Sequence, residues 1–523
     1  MRKADTDGII AKKTWDVWKL GIVILAALLR TYRIEALTEF LGDQGRTMLI
    51  MRDFIERGVV PLAGPTTLSG HHVGPMFYYL LAPGYVIFDG SPVGVSLWMA
   101  IFGVVAVWVL YETAKNMFGL FPARAVSLLW VVSPHLIASD RVIWEPNMVP
   151  LFVLLSVYLL YRAHTMWFRG VWVALGGALG VLVQLHYPNM FFVALLGLYL
   201  VGSLLLRLRK FREVVAAGSW WLAGFIAVLL PFLWYEYTVG FGDLRGIATV
   251  MASGGGAFVG KRVMAELWLE YAFRVFGRAL PFMSRITAAI LVCLWVGFTM
   301  SRPTKKNILL TVWFFAWLTP MARFSWVVYD HYLFFLVPVP FLMIASVLSA
   351  VRQRAHCYVA VCIIGVSVAL QLSKTDLLGP GRNDIARVST AVERIRDVVN
   401  TSRFSFTLIR SDSFSDLHYR YFMKRIGLRP EPITDAYSDL VLVCDQSDCP
   451  TPKTLMKEEE VQVLCFEEYC QGLYPKIPLF REWEYLTYRE VNSSREIGGR
   501  IYVFKRRPKG NTLRGLDDEY LVQ

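Results

Sequence analysis

Residues 76–88, Met76-Phe77-Tyr78-Tyr79-Leu80-Leu81-Ala82-Pro83-Gly84-Tyr85-Val86-Ile87-Phe88, decide how the whole chain threads. The run is apolar, yet a membrane-spanning helix needs about 20 such residues, and this one is shorter and interrupted by Pro83-Gly84. Charge on the flanking loops settles its placement. If the run does not span, Lys12, Lys13 and Lys19 share one side with Lys115 and Arg124, Arg162 and Arg169, and the Arg207–Arg212 cluster. Arg302, Lys305, Lys306, Arg352 and Arg354 fall on that side too, while the opposite short loops carry little beyond Arg141 and Arg323. If it spanned, every later cluster would invert. The excess of Lys and Arg on cytoplasmic loops therefore lays residues 76–88 on the outer surface.

Working outward, eleven spans are predicted at 17–33, 93–113, 123–139, 148–163, 171–186, 189–206, 216–237, 286–301, 307–321, 332–350 and 355–373. The composition agrees: of 523 residues 55% are hydrophobic and only 18% charged, which excludes a disordered chain and a simple soluble enzyme. The net charge of +13 reads as the basic bias of cytoplasmic loops, not as a nucleic-acid surface. The expected fold is an α-helical polytopic membrane protein with a small C-terminal α/β domain. Its expected division is a cytoplasmic N-terminus (1–16), a transmembrane domain (17–373) with a long exterior loop (34–92), and an exterior soluble domain (374–523). Cys444, Cys449, Cys465 and Cys470, an even set with C-x4-C spacing, favour disulfides and hence an oxidising side for the tail. The expected location is the plasma membrane, with the C-terminal domain outside. There is no convincing internal repeat.

This threading gathers the unusual polar residues at one face. Asp43 sits in Gly42-Asp43-Gln44-Gly45-Arg46, where the glycines permit close approach of backbone to a ligand. A carboxylate there can act as general base, and it can equally cap a helix over about 44–57 that lies along the interface. His71-His72 can bind a phosphate, a sugar or a metal, or be a solvated loop. Tyr78 reads as an interfacial anchor or a sugar-stacking ring. In Ser139-Asp140-Arg141-Val142-Ile143-Trp144-Glu145-Pro146-Asn147, Arg141 suits a phosphate, Asp140 is its expected partner or a helix terminator, and Glu145 suits a sugar hydroxyl or a cation. His186-Tyr187 and the Arg323, Asp330, His331 set complete the face, with Arg323 a second phosphate candidate. The segment 254–256 is a Gly run, and the amphipathic stretch 263–280 suits a cover over a lipid entrance.

Taken together, Asp43 after the first span, Gly74-Pro75-Met76-Phe77-Tyr78-Tyr79, and Ser133-Pro134 leading to Arg141-x-x-Trp144-Glu145-Pro146-Asn147 resemble the family 39 membrane glycosyltransferases of the C-superfamily. These include protein O-mannosyltransferases and the lipid A aminoarabinose transferase. The resemblance covers roughly residues 15–350. It implies a polyprenyl-phosphate sugar donor, inverting transfer, and catalysis on the non-cytoplasmic face, with Asp43 matching the general base and Arg141 at the donor phosphate. Relatives often carry Asp-Glu where this chain has Asp43-Gln44. No metal site and no cofactor are therefore expected, a divalent cation being the disfavoured alternative. Arg46, His71, His72, Tyr78, Asn147, His186, Tyr187, Arg323 and His331 are substrate-binding candidates by placement. The partners expected are that donor, an acceptor that is lipid, protein or polysaccharide, and membrane lipid, with no nucleic acid. The competing class is a transporter or flippase of lipid-linked sugars, which should show half-repeats and broken helices at mid-membrane.

Overall fold

The computed structural model describes residues 16–506 except 68–69, 253–258, 281–282, 324–327, 352–353, 400, 432–438, 447, 452–460, 465–475, 478–484 and 492–499. Lys12, Lys13, Arg352, the 254–256 glycines, Cys465 and Cys470 lie outside the described residues. The chain opens with α1 (Val17–Thr31), α2 (Ile34–Leu37), α3 (Gly42–Arg57) and α4 (Met76–Ile87). It continues through α5 (Pro92–Phe118), α6 (Leu120–Val131), α7 (Pro134–Ser139), α8 (Val149–Met166), α9 (Arg169–Leu185), α10 (Met190–Leu205) and α11 (Phe211–Thr238). Then come α12 (Gly242–Ala252), α13 (Lys261–Phe276), α14 (Arg285–Ser301), α15 (Lys305–Arg323), α16 (Pro338–Ser349) and α17 (Arg354–Leu372).

Apolar helices thus occupy the predicted spans, and among the described residues five helical segments are long and apolar enough to cross a bilayer: Pro92–Phe118, Glu145–Met166, Tyr187–Leu205, Phe211–Thr238 and Asp330–Ser349. Large apolar side chains on α10, α11 and α14, such as Leu198, Leu230 and Leu294, are exposed. Such a surface is stable only against lipid. This is a polytopic helical membrane protein.

The span expected over 123–139 is not one helix. Ser133 is extended (φ −64°, ψ 119°) because Pro134 disfavours a helical predecessor, and the chain restarts as the short α7. Three 3-10 turns, Glu145–Met148, Tyr187–Asn189 and Asp330–Leu336, lead into α8, α10 and α16 at the same end of the bundle. They are where the polar candidates sit.

The tail holds α18 (Asp384–Val398), strand β1 (Arg403–Arg410), α19 (Leu417–Arg425), β2 (Arg429–Glu431) and β3 (Asp439–Cys444). The short β4 (Val461–Gln462) and β5 (Lys476–Ile477) precede β6 (Tyr485–Val491) and β7 (Arg500–Arg506). The main sheet has the order β2-β1-β3-β7-β6, parallel across its first three strands and antiparallel across the rest. Phe406, Leu408, Val441, Val443 and Ile501 bury against Val388, Val392 and Ile395 of α18. Cys444 is bonded to Cys449.

This domain does not hang free. Asn383 N–H donates to Ala36 O (2.9 Å), Arg33 Nη1 donates to Leu377 O (3.1 Å) and Gly379 O (3.0 Å), and the Phe40 ring meets those of Tyr421 and Phe422. The outcome for α3 differs from an interfacial helix exposed on one face. Its buried side, with Thr47, Met48 and Met51, is sandwiched between α19 and α4.

Candidate active site

The site begins where α3 begins. The sequence suggests Asp43 as the cap of this helix, but the cap is Leu41, whose N–H donates to the Gln44 side chain (2.8 Å). Gln44 thus does locally what a glutamate does in a capping box, and Asp43, one position inside the helix, keeps its carboxylate for other work. Arg46 reaches back one turn to it, Nη2 to Oδ1 2.7 Å. Burial pushes the Asp43 carboxyl above the usual carboxylate range, and the Arg46 guanidinium pulls only partly against it.

Two further groups feel these charges. Glu145, first residue of its 3-10 turn, lies within electrostatic reach of both Arg46 and Asp43. Tyr78 of α4 lies within reach of Arg46, Glu145 and Asp43, and its hydroxyl is buried with no hydrogen-bond partner among the described residues. Buried polar groups are nearly always paired, and the Tyr78 hydroxyl is one of the exceptions, within electrostatic reach of two carboxylates and a guanidinium.

The glycines flanking Asp43 serve a different neighbour from the one expected. A Cβ on Gly42 would fall 2.2 Å from Ser415 Oγ, and one on Gly45 2.2 Å from His418 N. They let the tail, not a small ligand, approach the helix. Gly42 N–H donates to Ser413 Oγ (2.9 Å), and that hydroxyl donates to Ser415 O (2.7 Å). The first turn carrying Asp43 is therefore held by the C-terminal domain.

Arg141 is corrected. It is 3% exposed and turned inward: Nε donates to Arg30 O (3.0 Å), and Nη2 to Tyr32 O (3.2 Å) and Leu29 O. It caps the C-terminus of α1, a favourable place for a cation. Asp140, the expected partner of Arg141, pairs instead with the fully buried Arg30 (2.7 Å). Asn147 Nδ2 donates to Val142 O (3.2 Å) and stabilises the same turn. Arg323 holds the lead into α13, Nη1 donating to Val259 O while Val259 N–H donates to Arg323 O (3.1 Å).

His71 and His72 are not a solvated loop. An antiparallel bridge pairs Thr66 with His72, and His72 Nδ1 lies 3.0 Å from Asp243 Oδ2 and 3.1 Å from Tyr235 Oη. His71 Nδ1 stands 3.6 Å from Asp243 Oδ1. Buried Glu236 and the Tyr187 hydroxyl complete this pocket of charge, Tyr187 being within reach of both Asp243 and Glu236. Asp243, Glu236 and Tyr235 escaped the sequence reading; the signal was an ionisable Tyr-Glu pair at the end of an apolar span, followed by an acid between Gly242 and Leu244. His186 and His331, far apart in sequence, have ring centroids 5.3 Å apart, with Trp144 5.0 Å from His331. Asp330 is bound by Arg274 and by Arg278 (3.2 Å), two arginines also missed. Among the described residues no three His, Cys, Asp or Glu side chains are arranged to hold a metal ion.

Residues 72–235 match the family model described as dolichyl-phosphate-mannose-protein mannosyltransferase; Asp43 and Arg46 precede the matched segment. No curated protein matches the sequence significantly. The fold is similar to that of ArnT from Cupriavidus metallidurans in the apo state, with TM-score 0.58 at 14% identity, over 84% of this chain and 93% of that one. It is also similar to the same enzyme bound to undecaprenyl phosphate, with TM-score 0.60 at 12% identity, over 92% of this chain and 97% of that one. These findings bear out the resemblance read from the sequence: the chain has the fold of the C-superfamily membrane glycosyltransferases.

Proposed function

We propose that this protein is a glycosyltransferase that moves a sugar from a polyprenyl-phosphate donor to an acceptor at the outer face of the plasma membrane, with inversion. Eleven spans, a cytoplasmic N-terminus and an exterior C-terminal domain follow from the basic loops. ArnT, whose fold this chain shares, has been captured with undecaprenyl phosphate, which supports a donor of that kind. One observation carries the reading above all: a carboxylate, Asp43, whose affinity for a proton burial raises, paired with Arg46 and within electrostatic reach of Glu145 and an unpaired tyrosine hydroxyl.

In the reaction, Asp43 accepts the proton of an acceptor O–H or N–H as that oxygen or nitrogen forms a bond to the anomeric carbon. The bond from that carbon to the phosphate oxygen breaks on the opposite side, and polyprenyl phosphate leaves with the electron pair. Arg46, paired with Asp43, and the Tyr78 hydroxyl hold the phosphate as its charge grows. Glu145 holds a hydroxyl of the transferred sugar.

The test is transfer from radiolabelled polyprenyl-phosphate sugars to membrane extract, wild type against Asp43→Asn. Loss of the general base should lower the rate about 10²- to 10⁴-fold. Equal product from both proteins would remove the assigned base.

A further inference from the structure

Three successive backbone N–H groups lead into the turn that carries Asp43, and each has an acceptor. That of Leu41 is taken locally, by the Gln44 side chain. Those on either side are taken by the tail: Phe40 N–H donates to Asp384 Oδ2 (3.3 Å) and Gly42 N–H to Ser413 Oγ (2.9 Å). N–H groups at the start of a helix have no partner inside it, so these two acceptors fix how the chain enters α3.

Followed away from Asp43, both contacts end on one residue. Asp384 accepts from Arg387 Nη2 through its other oxygen, Oδ1 (3.3 Å), and Arg387 Nη1 donates to Asp445 Oδ1. On the second path Ser413 N–H donates to Ser411 Oγ (3.0 Å), and that hydroxyl donates to Asp445 Oδ2 (3.4 Å). Asp445 thus gives one carboxylate oxygen to each path. It is itself a fixed point. Its side chain is buried, its N–H donates to Arg410 O (2.7 Å), and it follows Cys444 at the end of β3, the central strand of the sheet. The Cys444–Cys449 bond closes the loop that Asp445 opens. Asp448, on the same loop, is exposed, pairs with Arg410 (3.0 Å) and lies on neither path.

We infer that Asp445 is a positioning residue for the transfer: it touches no substrate, and through its two hydrogen-bonded paths it sets the first turn of α3 and with it the Asp43 carboxylate. The inference rests on Asp43 being the base. Coupling of this kind travels through contiguous bonded groups, and a displacement of about 1 Å at a reacting group can cost ~10²-fold in rate. The C-terminal domain then governs turnover without contributing a group to the reaction.

The test uses the full-length protein in nanodiscs and two readouts, hydrogen exchange of the backbone over 38–43 and transfer from a polyprenyl-phosphate sugar to membrane extract. Asp445→Ala should speed exchange at Phe40 and Gly42 about tenfold and lower kcat about tenfold, with donor KM unchanged. Asp445→Asn keeps the shape and one acceptor oxygen, so it should show both changes at about threefold; it carries the test by itself if the alanine variant does not fold. Asp448→Ala should alter neither readout. In an Asp43→Asn background Asp445→Ala should cost no further rate, because the two act through one group. Unchanged exchange over 38–43 would overturn the inference, as would an equal loss of rate in both backgrounds or a raised donor KM at intact kcat. Asp43→Asn transferring as well as wild type, with exchange still quickened by Asp445→Ala, would refute the assigned base and leave the hold of Asp445 on α3 standing, so the two failures are distinguishable.

Discussion

Two acid–base clusters stand near each other at one end of the bundle, and they are built in opposite ways. In the first, Arg30, Asp140 and Arg141 face inward. Arg30 is wholly buried against Asp140, and Arg141 closes the carbonyl end of α1. In the second, Asp43 pairs with Arg46 within electrostatic reach of Glu145 and Tyr78; the Asp43 side chain is 26% exposed and the Tyr78 hydroxyl has no partner among the described residues. The residue types are nearly the same. What separates a scaffold from the proposed reaction centre is how fully the polar atoms are engaged, by backbone carbonyls and a buried partner in one case and only in part in the other. A buried ion pair holds geometry and is costly to break; a partly exposed carboxylate whose pKa burial raises can take a proton.

The comparison can be broken from its structural side first, where the largest effect is expected. Asp140→Ala strands the Arg30 guanidinium in the core and should destabilise the protein by about 3–5 kcal/mol, read as a lowered melting temperature in nanodiscs. Transfer per folded molecule should persist. An unchanged melting temperature with abolished transfer would move catalysis to this cluster.

On the functional side, the pH profile is diagnostic. A general base works deprotonated, and burial raises the Asp43 pKa. The acid limb of kcat/KM should therefore fall about tenfold per pH unit below a midpoint above the ordinary carboxylate value of about 3.9. Asp43→Asn should remove that limb from whatever activity remains.

The grip of the tail on α3 has its own pH signature. His418, packed against Gly45, is fully buried, and burial lowers its pKa to about 3. The unfolded chain takes up this proton near pH 6.5 while the folded one does not. Stability from this residue is thus complete above pH 6.5 and declines toward pH 3, at about 1.4 kcal/mol per pH unit. His418→Leu should flatten that part of the melting-temperature profile, and an identical slope in both proteins would show that the residue is protonated in place. The smallest effect belongs to Ser413→Ala, which frees the Gly42 N–H at the start of α3. Loss of one such bond is about 0.5–1.5 kcal/mol, and it should appear as a drop of several-fold in kcat with donor KM unchanged.

Much of the architecture is legible in the sequence because it rests on local pattern. Apolar run length marks the spans, and the tail's helical pattern over 385–399 and strand-like runs over 404–409 and 440–444 lie within a residue or two of α18, β1 and β3. Periodicity alone runs a helix through Ser133-Pro134, although the proline's effect on its predecessor breaks the helix there. What stays hidden depends on distant partners. Nothing around Arg141 reveals that carbonyls more than a hundred residues earlier will accept its donors, and nothing near Gly42 and Gly45 announces Ser413 and His418. Asp243 is missed for the same reason, since its meaning comes from His71 and His72 on another loop. Asp43 stands out because its character as an acid at a membrane edge is already visible in its immediate neighbours.

The most direct measurement is a structure of the protein with a non-transferable polyprenyl-phosphonate sugar bound. The phosphonate is expected within hydrogen-bonding reach of Arg46 and the Tyr78 hydroxyl, with the anomeric carbon facing Asp43. A phosphonate held by Arg141, with the sugar turned away from Asp43, would contradict it.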